Sequence, residues 1–564
     1  MYDTSVSPLY TIRLPDDGDL FWYRDDMHNP YPISPLGMTM VQRHYCWGYN
    51  LATEQIMAPS RGAYIKMHKG RVYLAWELID DEKEFAERAQ KSAKLIEYCI
   101  DNWDEYYQKH IDEVKAGTES LACVDADRLA NADLLHHLQR ADEVDLRNAE
   151  IHFILAYAAD MIYVKFEDFC KKYGVEEREF VALLKGGEKS MATKTDEALW
   201  GLAKLAEELG IGDMLLSEDS KIILNKLRGI PEAQKWLDSF AEFLKNFGNR
   251  LSAAHIDVTG YTWREDPTPV LMTIKSYIPR VRSGWDIEEM LEKVTLDSRK
   301  AADDCLARIS DENERKEFAR LLNAGKKIYF FQDDHNFYID QRSIAEVHNT
   351  AMACGRRLVK YGLLEQPEDV VFLTYWELVE VLSDLTRNEK VAARRYHRLV
   401  PPLVRERKAN MEEIERTKAP PLTIGPMPER MPDPVAAKAL AIVDRETCPK
   451  DEDVVSDKLR GLPGAPGAVE GVARVITTFE DFPKLQPGEI LVCPATEATW
   501  TPLFLKIIGV VTNTGGFLSH TAVAASEHGI PAVVGTWNAT KAIQDGDTIY
   551  VDGNKGTVEV RKRA

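Results

Sequence analysis

Residues 515–535, GGFLSHTAVAASEHGIPAVVG, contain a pair of glycines, a Ser-His pair and a run of small residues. Gly515 and Gly516 permit a turn with positive φ and a close approach of the backbone. Ser519 is a typical helix N-cap, so His520 is predicted to lie in the first turn of a short helix. The Gly-Ile-Pro sequence that follows predicts the end of that helix.

A histidine in this position suits phosphoryl chemistry. A helix N-terminus presents unpaired N–H groups and a positive partial charge, so it binds an anion well and disfavours an imidazolium. His520 is therefore expected to stay neutral and nucleophilic, and the backbone N–H groups, Ser519 and Thr521 would hold the oxygens of a transferred phosphoryl group. For a Ser-His pair alone, the better interpretation of His520 would be a polar residue at a helix start with no catalytic role. The whole segment instead favours a nucleophilic histidine.

The whole segment resembles the phosphohistidine signature of the phosphoenolpyruvate-utilising enzyme family, which lies in a swivelling histidine domain. The family includes pyruvate phosphate dikinase, phosphoenolpyruvate synthase, rifampicin phosphotransferase and phenylphosphate synthase. The likeness extends over 461–564, through GAPGAVEGVARVI, PGEILVCPATEATWTPLF and IQDGDTIYVDGNKGTVEV. The resemblance implies that His520 is the phosphoryl carrier.

The segment departs from the family at one position. The family usually has Ala-Arg-Glu where this chain has Ala525-Ser526-Glu527. The missing arginine leaves open how the phosphate is clamped, or implies that another chain supplies the cation. Glu527 and Thr499 are shared with the family, and the resemblance implies that they orient the histidine or its phosphate. A helix-surface charge and a loop hydroxyl are equally good interpretations of these two residues.

Most of the chain before residue 400 has the hydrophobic spacing of helices. The predicted helical segments are 76–116, 142–173, 196–209, 232–247, 288–309, 311–324, 340–362 and 375–385. Gly117 is a plausible stop for the first of them. Strand signals in this part are few, the best being a hairpin over 65–76 and the sequence KIYFFQ at 327–332.

The pattern changes near residue 405. Residues 418–434 are rich in proline and glycine and are typical of a linker, and a short helix is predicted at 434–444. From residue 462 strands and turns alternate, with one clear helix at 520–528. The sequence thus predicts a multidomain protein. Its parts are a large, mostly α-helical acceptor-binding domain at 1–404, a Pro-rich linker or hinge at 405–460, and a small α/β swivelling phosphohistidine domain at 461–564.

Composition limits the class of protein. The 564 residues are too many for one core, and 45% hydrophobic with 29% charged residues is typical of a globular protein. The sequence has no apolar run long enough to predict a membrane span, and its N-terminus lacks the pattern of a signal peptide. Eight scattered cysteines without a CxxC pair suit a reducing cytosol, so a cytoplasmic location is predicted. The net charge of −20 argues against nucleic-acid binding.

The part before residue 400 resembles, more weakly, the acceptor-binding domain of rifampicin phosphotransferase and the corresponding part of phenylphosphate synthase. The segments that carry the likeness are NPYPISPLGMTM (29–40), GRVYLAW (70–76), FGNR (247–250), WREDPTPVL (263–271), DDHNFYID (333–340) and GLLEQPEDVVFLTYWEL (362–378). Neither a glycine-rich phosphate loop nor an ATP-grasp-like stretch is recognised here. The organisation is similar to phenylphosphate synthase and p-cresol (4-methylphenyl) phosphate synthase, which implies a separate ATP-grasp-type subunit that binds ATP and Mg²⁺.

The resemblance implies two half-reactions. His520 takes the β-phosphoryl group of ATP on the partner subunit, leaving AMP and phosphate. The domain then swivels on its tether, and a phenolic hydroxyl bound to the helical domain attacks the phosphohistidine. A phenol has a pKa of about 10, so a general base would help.

Candidates for the acceptor site lie in DDHNFYID. His335 is favoured as the base, Asp334 or Asp340 as the group that orients it, and Asp333 as a contact of the acceptor; a capping or solvent-exposed His335 is an equal alternative.

Arg264, Trp22 and Trp47 are further candidates for binding. Arg264 could contact the phosphate, although a structural ion pair is the more usual role. Trp22 and Trp47 are candidate linings of the acceptor pocket, with core packing as the alternative. His152 is expected to be a core or lining residue, and no metal site is predicted.

Two other functions stay open on the sequence. One is phosphorylation of a different hydroxyl, such as that of an antibiotic, for which an ATP domain in the same chain would be expected. The other is a non-enzymatic phosphocarrier or regulatory subunit whose helical domain binds a protein and has no acceptor pocket.

Overall fold

The computed structural model describes residues 20–26, 28–251, 256–417, 419–426, 456–477, 479–496, 500–504, 506–516 and 519–564. Helices form most of the described chain up to Arg416, and a sheet with short helices follows from Lys458. This confirms the predicted fold class, a mostly helical protein with a small α/β region at its C-terminal end. Among the described residues, no helix combines the length and apolar character needed to cross a membrane.

The first described elements are three strands and two helices. They are β1 (Trp22–Arg24), α1 (Pro35–Gly37), α2 (Arg43–Gln55), β2 (Gly62–His68) and β3 (Arg71–Glu77). Strands β2 and β3 pair in antiparallel register, which confirms the predicted hairpin. Lys69 and Gly70 make its turn with positive φ values of 48° and 71°. A π-helical segment, Met38–Gln42, joins α1 to α2.

The segments predicted to be helical before residue 400 lie wholly or mostly in helices. The helices that follow β3 are α3 (Glu82–Ala122), α4 (Asn131–Lys172), α5 (Glu177–Leu184), α6 (Met191–Glu208), α7 (Gly212–Ser217), α8 (Ile223–Leu227), α9 (Gln234–Phe247), α10 (Thr268–Arg282), α11 (Ile287–Leu306), α12 (Glu312–His335), α13 (Arg342–Lys360), α14 (Tyr375–Arg387), α15 (Glu389–Tyr396) and α16 (Val400–Arg416). Side chains start several of them, as in α14, where Thr374 and Glu377 form a capping box. Strand β4 (Thr423–Ile424) then completes a four-stranded sheet in the order β2-β3-β1-β4.

Two predicted features of the helical part were wrong. Gly117 does not end α3, because the helix packs tightly on α4 there, with Val144 3.2 Å from where a Cβ of residue 117 would lie. Residues 327–332 are not a strand but part of α12. Ile328 and Phe331 are both 2% exposed. Their three-residue spacing places both side chains on one buried helix face, and this burial outweighs the β-propensity of the aromatic run.

The predicted linker at 405–460 is partly helical. Residues 405–416 belong to α16, where the guanidinium of Arg407 binds the carboxylate of Glu377 through two hydrogen bonds of 2.7 and 2.9 Å. Residues 427–455, including the helix predicted at 434–444, lie outside the described residues. The domain limits at 404 and 460 therefore stay predictions.

The described residues form two compact units. The first contains those of Met1–Met161, Asn249–Tyr261 and His335–Ala436, and the second those of Ile162–Gly248, Thr262–Asp334 and Ala437–Ala564. The core of the first is built from aliphatic residues such as Leu36, Val347 and Leu378. The second has a core rich in aromatic residues around Trp236 and Tyr277 and a separate aliphatic core within the C-terminal sheet.

The C-terminal sheet has eight strands in the order β5-β12-β11-β7-β8-β9-β10-β6. Its elements are β5 (Lys458–Arg460), β6 (Leu462–Ala465), β7 (Ala468–Val475), β8 (Ile490–Cys493), α17 (Thr501–Phe504), β9 (Gly509–Thr512), α18 (His520–Glu527), β10 (Ala532–Val534), α19 (Ala539–Ala542), β11 (Thr548–Asp552) and β12 (Thr557–Lys562). Strands β7, β8, β9 and β10 are parallel neighbours, and the other pairs are antiparallel. Because the carboxyl ends of β8 and β9 share one edge of the sheet, residues that follow these two strands can form a site.

Candidate active site

His520 lies where the local sequence predicts it, at the start of α18, between the parallel strands β9 and β10. Ser519 is the N-cap, and its Oγ accepts a hydrogen bond from the backbone N–H of Ala522 at 3.4 Å. Gly515 has a φ of 116°, and a Cβ there would lie 2.9 Å from Ser519 Oγ. A glycine is therefore needed for the turn that brings Ser519 to the helix start.

Thr496 is a site residue that sequence reasoning missed. It follows the carboxyl end of β8, which pairs with β9. Its Oγ1 lies 3.1 Å from Nδ1 of His520 and 2.8 Å from Oγ1 of Thr521. Since Thr496 holds Nδ1, the other ring nitrogen, Nε2, is the candidate for phosphoryl transfer. The sequence signal that could have identified Thr496 is the stretch PATEAT (494–499), which directly follows a buried strand. The sequence argument selects Thr499 from this stretch, a residue outside the described part of the chain.

The other predicted phosphate ligands have different positions. Thr521 is almost fully buried beside Thr496. The carbonyl of Gly516 accepts a hydrogen bond from the backbone N–H of Ser519 at 3.0 Å, so Gly516 belongs to the turn before the helix. These contacts position the start of α18.

Arg264 is engaged at the end of another helix. Its guanidinium donates hydrogen bonds to the backbone carbonyls of Leu244 and Lys245, at 3.1 and 2.7 Å, in the last turn of α9. These contacts give Arg264 the structural role of satisfying carbonyls at a helix C-terminus.

Lysine and arginine side chains from the helical part of the second unit lie beside α18. The Lys185 ammonium donates a hydrogen bond to the hydroxyl of Ser526, the residue that stands where the family usually has arginine. His528, just beyond the helix, stacks on Phe504 at 6.1 Å between ring centroids. Burial, and secondarily the charge of Arg280, lower the pKa of His528 to about 4. The face of α18 at Ser526 therefore has a cation beside it.

A second group of chemical residues is centred on Asp340, in the first unit. Asp340 Oδ1 accepts a hydrogen bond from the hydroxyl of Tyr45 at 2.5 Å and lies 2.9 Å from Nδ1 of His152. Oδ2 lies 3.7 Å from Nε2 of His335. The side chains of His152, His335 and Asp340 are only 11%, 14% and 10% exposed. We call these three residues and Tyr45 the Asp340 cluster.

Aromatic rings surround the Asp340 cluster on one side. The ring of Phe153 lies edge-on to His152 and Tyr45, with centroids 4.7 and 5.6 Å apart, and to Tyr49 at 5.2 Å. The rings of His152 and His335 are 5.0 Å apart. The polar atoms of the cluster thus adjoin an apolar wall, as in many small-molecule sites.

The charge state of the Asp340 cluster follows from these contacts. Burial opposes ionisation of Asp340, but the charge and contact of His152, the charge of His335 and the Tyr45 hydrogen bond outweigh it and hold the pKa of Asp340 below its usual value. Burial and the neighbouring carboxylate raise the pKa of Tyr45 well above its usual value. Asp340 is therefore an anion, and Tyr45 a hydrogen-bond donor, at neutral pH.

A π-helical turn brings His335 and Asp340 together. Residues Asn336–Gln341 are π-helical, and the N–H of Arg342 bonds to the carbonyl of Phe337, five residues earlier. In an α-helix residues five apart are about 140° apart around the axis, whereas the wider π-turn, closed by hydrogen bonds between residues five apart, brings them nearer to one face. A second π-helical segment, Met38–Gln42, directly precedes the helix that carries Tyr45. Such turns are rare and occur frequently at functional sites.

The remaining predicted acceptor residues lie elsewhere. Oδ1 of Asp334 accepts a hydrogen bond from the backbone N–H of Met191 at 2.7 Å, at the start of α6, so Asp340 is the carboxylate placed beside His335. Asp333 lies in α12, and its side chain is outside the description. Trp22 is 2% exposed and packs in the core, and Trp47 is 50% exposed with the Arg43 guanidinium 5.1 Å from its ring.

A cavity of about 380 Å³ is lined by Leu129, Ala130, Asn131, Arg357, Lys360, Tyr361 and Glu389. Asn131 and His152 are 21 residues apart on α4, a distance of about 30 Å along a helix. This cavity is therefore separate from the Asp340 cluster.

Two family models match the chain. Residues 485–556 match "PEP-utilising enzyme, mobile domain", and residues 152–331 match "Rifampicin phosphotransferase fourth domain". The first match contains His520, and the second contains His152 and Lys185. These two stretches of the chain are therefore similar to the mobile domain of PEP-utilising enzymes and to the fourth domain of rifampicin phosphotransferase, which confirms the predicted resemblance to the PEP-utilising enzyme family.

Curated relatives are similar over much of this chain and are longer than it. Chondramide synthase cmdD of Chondromyces crocatus is 28% identical over 96% of the chain, which spans 14% of that protein. The uncharacterized phosphotransferase YvkC of Bacillus subtilis (strain 168) is 26% identical over 96% of the chain, which spans 62% of it. Rifampicin phosphotransferase of the same strain is 32% identical over 60% of the chain, which spans 36% of it. The chain thus spans less than two thirds of each.

Proposed function

We propose that this chain is the carrier and acceptor-binding part of a phosphotransferase that phosphorylates a phenolic hydroxyl through phospho-His520. The observation that carries the proposal is the pairing of two sites in one chain. One is a histidine at a helix start in a mobile domain of PEP-utilising enzymes. The other is a buried carboxylate flanked by two imidazoles and aromatic rings.

The first half-reaction loads His520. Thr496 holds Nδ1 at 3.1 Å, so Nε2 is the attacking nitrogen in this proposal. The backbone N–H groups at the start of α18 would receive the phosphoryl oxygens. ATP is the donor, and with one water it yields phospho-His520, AMP and inorganic phosphate. We place ATP and its Mg²⁺ on a separate ATP-grasp-type subunit.

The second half-reaction unloads His520 to the acceptor. The oxygen of a phenol attacks phosphorus, the O–P bond forms and the P–N bond breaks. The phenol loses a proton and the freed imidazole gains one, so the step is balanced. The Asp340 cluster supports this step because its carboxylate is ionised, and because Phe153, Tyr45 and Tyr49 offer apolar surface to an aromatic ring. We place the acceptor oxygen at this cluster.

The second half-reaction is reversible and needs no ATP, so this chain alone can test it. Purified protein is mixed with 4-methylphenyl phosphate and isotopically labelled p-cresol, and label entering the ester is followed. We expect exchange, together with an acid-labile phosphohistidine in the peptide that contains residue 520. Exchange that is equal in wild type and in His520→Ala would contradict the carrier role.

His528→Gln is the matched control, because it removes the other histidine of the α18 segment. We expect it to keep exchange while His520→Ala loses it. The same mixture with rifampicin and its phosphate tests the other acceptor class, since relatives of the chain include rifampicin phosphotransferases. Exchange with that pair alone would reject a phenolic acceptor. A loaded His520 that exchanges with neither pair would favour a pure phosphocarrier.

A further inference from the structure

We infer that His152, His335 and Asp340 form a binding site for one divalent transition-metal ion, of the kind that Zn²⁺ or Co²⁺ occupies. This inference deepens the proposed function, on which its catalytic consequence rests. The three ligand atoms offered by these side chains lie within 4.8 Å of one another. Two imidazoles and one carboxylate are a common ligand set for catalytic zinc and for related metals with open coordination positions.

The distances among the three side chains are compatible with a shared metal ion. Nδ1 of His152 lies 2.9 Å from Oδ1 of Asp340, and Nε2 of His335 lies 3.7 Å from Oδ2. Two atoms that each lie about 2.0–2.1 Å from one zinc ion in tetrahedral geometry are about 3.4 Å apart. The observed separations bracket that value, and small rotations of the side chains would reach it.

His152 supplies an independent observation. The residue is 8% exposed, and its Nδ1 lies 2.9 Å from Oδ1 of Asp340 without the geometry of a hydrogen bond. A buried ring nitrogen without a hydrogen-bond partner is unfavourable and calls for an explanation. A metal ion between Nδ1 and the carboxylate would satisfy both groups. The carboxylate of Asp340 and the imidazole of His335 lie close enough to complete the ligand set.

The surroundings of the three residues are those of a supported metal site. Tyr45 donates a hydrogen bond to Oδ1 of Asp340, the type of outer contact that fixes a ligating carboxylate. The ligands come from α4, from the end of α12 and from the π-helical segment Asn336–Gln341, so the fold places them before an ion binds. Each side chain keeps 10–14% exposure, which leaves a route for entry.

A bound ion would give the cluster a definite function. It could bind the acceptor oxygen in an open position, stabilise its phenolate form and offset the negative charge of the approaching phosphoryl group. His335 would then be a metal ligand, in place of the general-base role predicted from the sequence. The site is distinct from the Mg²⁺ that we place with ATP on the partner subunit.

The test measures metal directly. Protein without an affinity tag is stripped with a chelator, loaded with Zn²⁺ or Co²⁺, passed through gel filtration and assayed for metal by mass spectrometry. We expect about one ion per chain, and visible absorption from the Co²⁺ form typical of mixed nitrogen and oxygen ligands. Asp340→Asn and His152→Gln should each lower retained metal at least tenfold.

His136→Gln is the matched control, because His136 is an exposed histidine on the same helix as His152. It should retain metal like the wild type, and circular dichroism checks that each variant is folded. Equal metal content in wild type, Asp340→Asn and His152→Gln would overturn the inference. So would a wild type that retains none.

Exchange between 4-methylphenyl phosphate and labelled p-cresol separates this inference from the proposed function. If exchange persists in metal-free protein, the catalytic consequence of the metal fails, while the binding site is judged by retained metal and the proposed function stands. If metal binds as expected but neither ester exchanges, the site stands and the phenolic acceptor fails. Recovery of exchange with Zn²⁺ or Co²⁺, but not with Mg²⁺, would support both.

Discussion

His520 and the histidines of the Asp340 cluster are the same side chain in two different environments. His520 has a threonine hydroxyl on Nδ1 and lies at a helix start. His152 and His335 face a buried carboxylate that is also bound by Tyr45. A hydroxyl partner leaves an imidazole neutral and nucleophilic, whereas a carboxylate favours a proton or a metal ion beside it. In the proposed mechanism, this difference would separate the histidine that carries the phosphoryl group from the histidines beside the acceptor.

The largest expected effects are those of two substitutions, Asp340→Asn and His520→Ala, which test the two sites separately. Asp340→Asn should lower exchange between 4-methylphenyl phosphate and p-cresol about 100- to 10,000-fold, the usual range for loss of a group that assists proton removal. It should leave chemical phosphorylation of His520 by phosphoramidate unchanged, because Asp340 and His520 belong to different compact units and phosphoramidate bypasses the acceptor site. His520→Ala should abolish both. The phosphorylated residue is located by mass spectrometry. A phosphoryl group on His152 or His335 would contradict the distinction between these histidines and His520.

The next largest effect concerns His528, which is neither the proposed phosphoryl carrier nor part of the Asp340 cluster. The pKa of His528 is about 4 in the folded protein, below about 6.5 in an unfolded chain. The unfolded state therefore binds more protons between these values, so stability falls as the pH is lowered from about 6.5 to 4. The loss is at most about 3 kcal/mol, and less because His528 is partly exposed.

His528→Gln should remove this dependence. Hydrogen exchange of the peptide over 519–530, corrected for intrinsic rates, is compared at pH 7 and pH 5 in both proteins. We expect a larger loss of protection at pH 5 in the wild type. The same loss in both proteins would assign the acid sensitivity to other groups.

A third prediction tests how the backbone holds His520. Gly515→Ala puts a Cβ where φ is 116° and where Ser519 Oγ would be 2.9 Å away. The strain should destabilise the mobile domain by about 1–3 kcal/mol. Faster hydrogen exchange in α18 measures it, with Gly529→Ala as a matched glycine control that has positive φ of 66° but no neighbour within 4 Å. Equal effects would mean that contact with Ser519 adds nothing to the backbone strain.

The smallest expected effect concerns the hydroxyl beside His520. Thr496→Val keeps the shape of the side chain and removes the contact with Nδ1. We expect about a tenfold loss in the rate of His520 phosphorylation by phosphoramidate, equivalent to one hydrogen bond of about 1.4 kcal/mol. Thr496→Ser should restore most of the rate. A valine variant with an unchanged rate would show that the ring is positioned by packing alone.

The two sites also differ in how far the sequence predicts them. Gly515, Ser519 and His520 are neighbours in one turn, so local rules for caps and glycine place them correctly. Thr496 was missed because its contact depends on the register between β8 and β9, which no local pattern states. The sequence places His335 and Asp340 shortly after a predicted strand at 327–332, whereas the structure brings them together in a π-turn. His152 and Tyr45 reach that pair from helices far away in sequence, so only the tertiary fold reveals the cluster.

The π-turn at Asn336–Gln341 holds one more residue than an α-helical turn. A chain one residue shorter here could close an ordinary α-turn, and the present His335 and Asp340 would then be four apart, still on one face. The helices on either side would keep their rotation and their packing. The chain can therefore gain or lose one residue in this turn while His335 and Asp340 stay on one face of the helix. Deletion of Tyr338 should accordingly yield a folded protein, whereas the same deletion within α13 would turn every following side chain of that helix by about 100°.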